Sequence, residues 1–258
     1  MRYALTVQYI GKNYLGSQIQ FDQEGLEVKP TVQGEIERAI CTLLTGIRLE
    51  SLHKERPIKT VFSGRTDRGV NALGQVIHFD YDKDIVASKF VYQLNEILPA
   101  DISVSDLRIV PNGFHAQKSA KARLYRFEFI HRKYKQAFDG DLIRVKYPIN
   151  IERMQKSLNY LLGEHDFSSF KSSGTLNPSK VCSIYEISCN KVDDKVTIYI
   201  KGNRFLYNMV RTIVGTLLKI EGHNLQPEEM KQVLEAKDRT KAGRTVGPHG
   251  LTLVKVDY

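Results

Sequence analysis

At 258 residues the chain is long enough for one large domain or two ordinary ones, and its 41% hydrophobic and 26% charged residues exclude a disordered tail or a low-complexity linker. Its 38 lysines and arginines against 29 acids leave a formal charge of +9, which fits either a partner of some polyanion or a merely basic soluble protein. Three cysteines, Cys41, Cys182 and Cys189, lack CxxC spacing and a companion His pair, so neither structural zinc nor a disulfide framework is expected.

Alternation in RYALTVQYI predicts an opening strand rather than a basic segment followed by an apolar signal core. No apolar run approaches membrane-spanning length, so no membrane partner is expected and the compartment is expected to be the cytoplasm. The polar, Gly-containing run from Gly11 to Pro30 reads as a long loop. In TVQGEIERAICTLLTG, Ile36, Ala39, Ile40, Leu43 and Leu44 recur at helical spacing, which assigns Glu35, Glu37 and Arg38 to the outer face. Strand-like IKTVFS and ALGQVIHFDY follow, then a helix over ASKFVYQLNEIL and a strand over DISVSDLRIV, giving β-α-β-β-α-β.

The remainder echoes that order. A strand over ARLYRFEFIHR leads to a helix over IERMQKSLNYLLGEH, where Ile151, Met154, Leu158, Leu161 and Leu162 share a face. Strands SIYEISCNK and KVTIYIKGN flank a turn at Asp193 and Asp194. FLYNMVRTIVGTLLKIEG, apolar around most of its circumference, predicts a buried helix, followed by a short helix in PEEMKQVLEA and a last strand in GLTLVKVDY. The expected fold is α+β: two ferredoxin-like (RRM-like) halves, 1–112 and 113–258, forming one extended antiparallel sheet with a central basic cleft.

Chemistry concentrates in few places. In FSGRTDRGVNALGQVIHFD, Asp67 lies between Arg65 and Arg68 in a glycine-flanked loop joining two strands. Neighbouring positive charge favours an ionised, poised carboxylate, although a solvated ion cluster has the same composition. Tyr125 is an aromatic embedded in the basic strand KSAKARLYRFEF, a pattern shared by base-stacking platforms and by ordinary sheet residues. Arg211 interrupts the most apolar helix, with Arg204, Asn208 and Gly215 at helical spacing if the helix begins early enough. It either pairs with an acid, Asp67 being a candidate, or reaches the helix surface. RTKAGRTVGPHGL either lines a cleft or leads into the last strand, and His115 is the one histidine in an evidently basic loop. With no HExxH, GxxxxGK[ST] or GxGxxG after a strand, neither a metal nor a nucleotide cofactor is expected.

GRTDRGVNALGQV resembles the GRTDxGVHAxxQV signature of the tRNA pseudouridine synthase A family. YIGKNYLGSQIQ with TVQGEIERAI, FHAQKSAKARLYRFEF, GEHDFSSF, FLYNMVRTIVG and RTKAGRTVGPHGLTLVKVDY resemble that family's successive segments in order, over essentially the whole chain. The resemblance implies the pseudouridine synthase fold, Asp67 as the catalytic aspartate, Arg211 as its positive partner, Tyr125 stacked on the target uracil and Arg65 holding the RNA. It also implies a homodimer that needs no cofactor and isomerises uridine in the anticodon stem-loop of tRNA, at tRNA positions 38–40. Departures are Ser17, where the family usually carries Trp, Asn71 in place of His, GRTVGP from Gly243 to Pro248, and a longer loop from Gln20 to Thr31. A glycoside hydrolase would need a second carboxylate flanking the bond, and the nearest acids, Asp80 and Asp82, lie a strand away.

Overall fold

The computed structural model describes residues 1–28, 30–172 and 179–258. In chain order the first elements are β1 (Arg2–Tyr9), β2 (Gln20–Phe21), β3 (Glu27–Val28), α1 (Val32–Thr45), β4 (Val61–Phe62), β5 (Asn71–Asp80), α2 (Ala87–Ile97) and β6 (Ile102–Val110). Then come β7 (Ala122–His131), β8 (Arg144–Val145), α3 (Ile151–Asn159), β9 (Gly163–Asp166), β10 (Val181–Val192), β11 (Lys195–Gly202), α4 (Met209–Gly222), α5 (Glu228–Ala236) and β12 (Leu251–Asp257). Contacts divide the chain into unit 1, Met1–Lys121 with Leu253–Tyr258, and unit 2, Ala122–Thr252. The mixed α+β composition with mostly antiparallel strands is the fold class expected from the sequence.

In unit 1, β1 pairs antiparallel with β5 on one side and β6 on the other, in registers such as Tyr3 opposite Phe79 and Tyr3 opposite Ile109. A strand buried on both faces must be apolar nearly throughout, and Ala4, Leu5 and Val7 are fully buried. Tyr3, Phe79 and Phe90 form an aromatic column linking the sheet to α2, with centroids 5.7 and 6.3 Å apart. Burying each such ring contributes about 1.5–3 kcal/mol. Asn95 fastens α2 to β6 by accepting the Val104 N–H and donating to the Val104 carbonyl, at 2.8 and 2.9 Å. The final residue closes the unit: Tyr258 packs on Phe114 and its hydroxyl donates to the Ala116 carbonyl at 2.8 Å.

α1 begins where the Thr31 side chain accepts the Gly34 N–H and ends at Gly46, whose φ of 73° is left-handed. Ile36, Ala39 and Ile40 face the core as expected, but Glu37 does not lie on the outer face: it is fully buried. Its carboxylate accepts from Arg56 and, at 2.6, 2.9 and 2.9 Å, from the Thr60 N–H, the Thr60 hydroxyl and Gln33 Nε2. Burial of a charge is tolerable when every lone pair is engaged, and here two of the three partner residues, Arg56 and Thr60, come from a segment well along the chain. The run Gly11–Pro30 is not wholly loop either, since β2 and β3 pair within it, Gln20 opposite Val28.

In unit 2 the strands run β7-β11-β10-β9, all antiparallel, with β8 beside β7. β10 and β11 meet in a two-residue hairpin, where Asp193 takes φ 51°. Two expected helices are shorter than the periodicity suggests. α3 stops at Asn159, and Gly163, at φ 95°, turns the chain so that Gly163–Asp166 becomes a strand paired with β10. α4 starts at Met209 rather than Phe205 because Asn208, at φ 60°, sits outside helical space, which leaves Arg204 off the helix. The sequence reading put the join near residue 112; unit 1 runs on to Lys121 and takes back the end of β12.

Candidate active site

Asp67 and Arg65 stand in unit 1, on the loop between β4 and β5. The Asp67 carbonyl accepts the Val70 N–H at 3.1 Å, closing a four-residue turn whose third residue, Gly69, has φ 80°. That φ is what a type II turn demands and glycine supplies without strain. Asp67 is half-buried, while Arg65 and Arg68 are exposed. Gln75 on β5 secures the loop's entry: its Oε1 accepts the Ser63 hydroxyl at 2.5 Å and its Nε2 donates to the Gly64 carbonyl at 2.8 Å. At the loop's exit Asn71 Oδ1 accepts the Gly11 N–H at 2.9 Å, so this departure from the family pattern has a fastening role.

The residue before Asp67 is the most constrained. Thr66 is buried, and its hydroxyl lies 2.7 Å from that of Tyr9 on β1. Burial pushes the Tyr9 phenol up to about 12, against the opposing hydrogen bonds of Thr66, Gln75 and Ser17, so it stays a neutral hydrogen-bonding group. Gln75 lies within the signature around Asp67, whereas nothing in the local pattern around Tyr9 marked it for this site, because it reaches it from a separate strand.

Tyr125 and Arg211 stand in unit 2. Tyr125 lies on β7 opposite Ile200, and its largely buried ring meets Phe205 edge-on, with centroids 5.0 Å apart at 80°. Phe205, which the periodicity placed inside a helix, belongs instead to the segment leading into α4. Arg211 is half-buried on the first turn of α4. Its Nε donates to the Val246 carbonyl at 2.8 Å and its Nη1 to Asn208 Oδ1 at 2.7 Å, which holds the guanidinium in one orientation.

The basic C-terminal loop is strapped along α4 by that helix's few polar groups. Gly243 N–H donates to Thr216 Oγ1 at 2.9 Å, the Thr212 and Thr245 hydroxyls are 3.0 Å apart, and Arg239 donates to the Gly243 carbonyl and to Thr245. Gly215 permits this approach, since a Cβ there would stand 1.6 Å from the Arg244 carbonyl oxygen. Gly215→Ala is therefore expected to destabilise the protein by about 1–3 kcal/mol, the ordinary range for overpacking. A melting temperature within 1 °C of the parent would show that the loop yields freely. An open groove of about 720 Å³ flanks the same helix, lined by Tyr147, Leu218, Lys219, His223 and Arg244 among others.

His115 turns out to be a local cap: its Nδ1 accepts the N–H groups of Gln117 and Lys118, both at 3.2 Å. His78 beside it is pushed down to about 4 by burial and by the charges of Arg2 and His115, and as a neutral ring its Nδ1 accepts the Ala116 N–H. Both histidines hold the 114–119 segment onto β5. Among the described residues no group of three His, Cys, Asp or Glu side chains is arranged to hold a metal ion, and no helix is long and apolar enough to cross a membrane.

The model of a family described as tRNA pseudouridine synthase matches residues 158–258. The tRNA pseudouridine synthase A of Caldicellulosiruptor saccharolyticus is 42% identical over 98% of this chain and 98% of its own. That of a Thermoanaerobacter species is 39% identical over the same shares, and that of Bacillus subtilis 41% over 100% of this chain and 99% of its own. The matched stretches span nearly the whole chain and so take in both units. The chain belongs to the tRNA pseudouridine synthase A family, whose members are isomerases acting on uridine in tRNA.

Proposed function

We propose that this protein converts uridine to pseudouridine in the anticodon stem-loop of tRNA, with Asp67 as the catalytic carboxylate. The observation that carries the reading is identity of about 40% over essentially the whole chain to relatives named tRNA pseudouridine synthase A. The reaction breaks the bond from N1 to C1′ of ribose, turns the freed uracil and joins C5 to C1′. The C5 proton leaves and N1 gains one, so product and substrate are isomers and no electrons change hands. An ionised carboxylate serves as nucleophile towards sugar or base, or as the base that removes a ribose proton. Each route needs Asp67 charged and firmly held, and the closed turn at Asp67–Val70 supports the second requirement.

A uridine in a stem is unreachable until it is flipped out, at a cost of a few kcal/mol. Tyr125 supplies the ring on which the flipped base stacks, Arg211 the positive partner of Asp67, and exposed Arg65 a contact to the RNA backbone. The working form is a homodimer in the cytoplasm. Fully exposed Phe138 and largely exposed Tyr134 in unit 2 are the apolar surface that a second copy would cover.

The test is nucleoside analysis and site mapping of an unmodified tRNA transcript incubated with purified protein, alongside the protein's mass in solution. Pseudouridine in the anticodon stem-loop and a dimer mass are expected. Pseudouridine elsewhere would refute the target, none in any tRNA would refute the activity, and a monomer mass would refute the dimer.

A further inference from the structure

We infer that Ser17 is a positioning residue for Asp67, clasping the backbone of Thr66 so that the carboxylate one residue on has a fixed origin. The inference rests on the reading of Asp67 as the catalytic group. Ser17 is 1% exposed. Its Oγ accepts the Thr66 N–H at 2.8 Å, and its own N–H donates to the Thr66 carbonyl at 3.1 Å. Both backbone polar groups of Thr66 thus close on one residue, as two strands would pair, while the Thr66 hydroxyl meets Tyr9.

The clasp has a firm anchor. The carbonyls of Gly16 and Ser17 accept the N–H groups of Val32 and Gln33, at 3.3 and 2.9 Å, which would otherwise be unmatched at the start of α1. Gln33 Oε1 returns a bond by accepting the Ile19 N–H at 3.1 Å. Gly16, at φ 127°, allows the close approach: a Cβ there would lie 3.1 Å from the Thr66 carbonyl oxygen. Position is therefore relayed from α1 through Ser17 to Thr66, and the turn closed by Val70 fixes Asp67 from its other side. Ser17 does not reach the reacting atoms in this account. It acts through Thr66.

Without the Ser17 hydroxyl, the buried Thr66 N–H has no acceptor there, and the loop's easiest remedy is to shift towards water. A displacement near 1 Å at a reacting group costs on the order of 100-fold in rate. For Ser17→Ala the expected result is a fall in kcat of about 10- to 100-fold, with tRNA KM and Kd within about twofold of the parent. Tyr9→Phe, which keeps the ring's packing and removes one bond to Thr66, should lower kcat about 3- to 10-fold in the same sense.

The experiment measures kcat, KM and tRNA binding for the parent and both variants, and backbone hydrogen exchange over residues 63–70 in the same samples. Exchange across the loop should quicken by at least about tenfold in Ser17→Ala while β1 and β5 keep their protection. Unchanged kcat would overturn the inference even if exchange quickened, since the clasp would then serve only the fold. Unchanged exchange would overturn it directly. Should Ser17→Ala fail to fold, Tyr9→Phe carries both arms. If the parent itself makes no pseudouridine in any tRNA, the proposed function fails, and the exchange arm still decides whether Ser17 holds the loop.

Discussion

Replacing Asp67 with asparagine or alanine is expected to lower pseudouridine formation by about 10⁴-fold or more, the scale on which enzymes depend on a nucleophile or general base. Asparagine keeps the volume and one acceptor oxygen but not the charge, so it separates the need for an anion from the need for a side chain. Asp67 is half-buried, and both substitutions keep the bonds that the Asp67 carbonyl, Thr66, Ser63 and Gly64 make to fasten the loop, so unit 1 should stay folded. Binding of tRNA should stay within a fewfold of the parent, because the contacts that hold the RNA belong to cations and aromatic rings. Single-turnover assays with saturating enzyme isolate the chemical step from binding. An Asp67→Asn protein retaining more than a tenth of the parental rate would remove Asp67 from the mechanism.

Glu37→Ala should cost about 3–5 kcal/mol of stability, because it strands a buried cation. The carboxylate is fully buried, and its partner Arg56 is largely so. Truncation also orphans the buried Thr60 N–H and takes one acceptor from Gln33 Nε2, which keeps its bond to the Thr60 carbonyl. A loss on this scale corresponds to a drop in melting temperature on the order of 10 °C. The exposed pair of Arg108 and Asp106 provides the contrast, since its removal should shift stability by less than about 0.5 kcal/mol. Thermal melts of Glu37→Ala and Arg108→Ala side by side make the comparison. A shift under 2 °C for Glu37→Ala would mean that Arg56 and Thr60 find water when the acid is gone.

Strands and helices with a clean period were legible before any coordinates: β1, β5, β6, β7, β10 and β11 lie within a residue or two of where alternation put them, and so does α1. Glu37 escaped because periodicity sorts residues by polarity, and a buried carboxylate is polar by type but inward by partnership. The early start assigned to α4 failed at Asn208, whose left-handed backbone is set by tertiary contacts such as its bond to Ser172. β9 was read as the end of a helix because its four residues carry too little pattern to outweigh the periodic run before them. The Asp67 loop announced itself through glycines and flanking charge. Of its supports, Gln75 lies in the same signature, but Tyr9 and Ser17 come from segments far back in the chain, and Ser17 stood out only as a mismatch.

The return of Leu253–Tyr258 to unit 1 has a consequence for how the protein is made. The first unit to leave the ribosome cannot be finished until all of Ala122–Thr252 has been synthesised, roughly ten seconds later at ordinary elongation rates. During that interval β5 lacks its β12 neighbour, and the Phe114 ring waits for Tyr258. The Asp67 loop borders that unfinished edge, so the nascent chain carries the proposed catalytic group before the strand beside it exists.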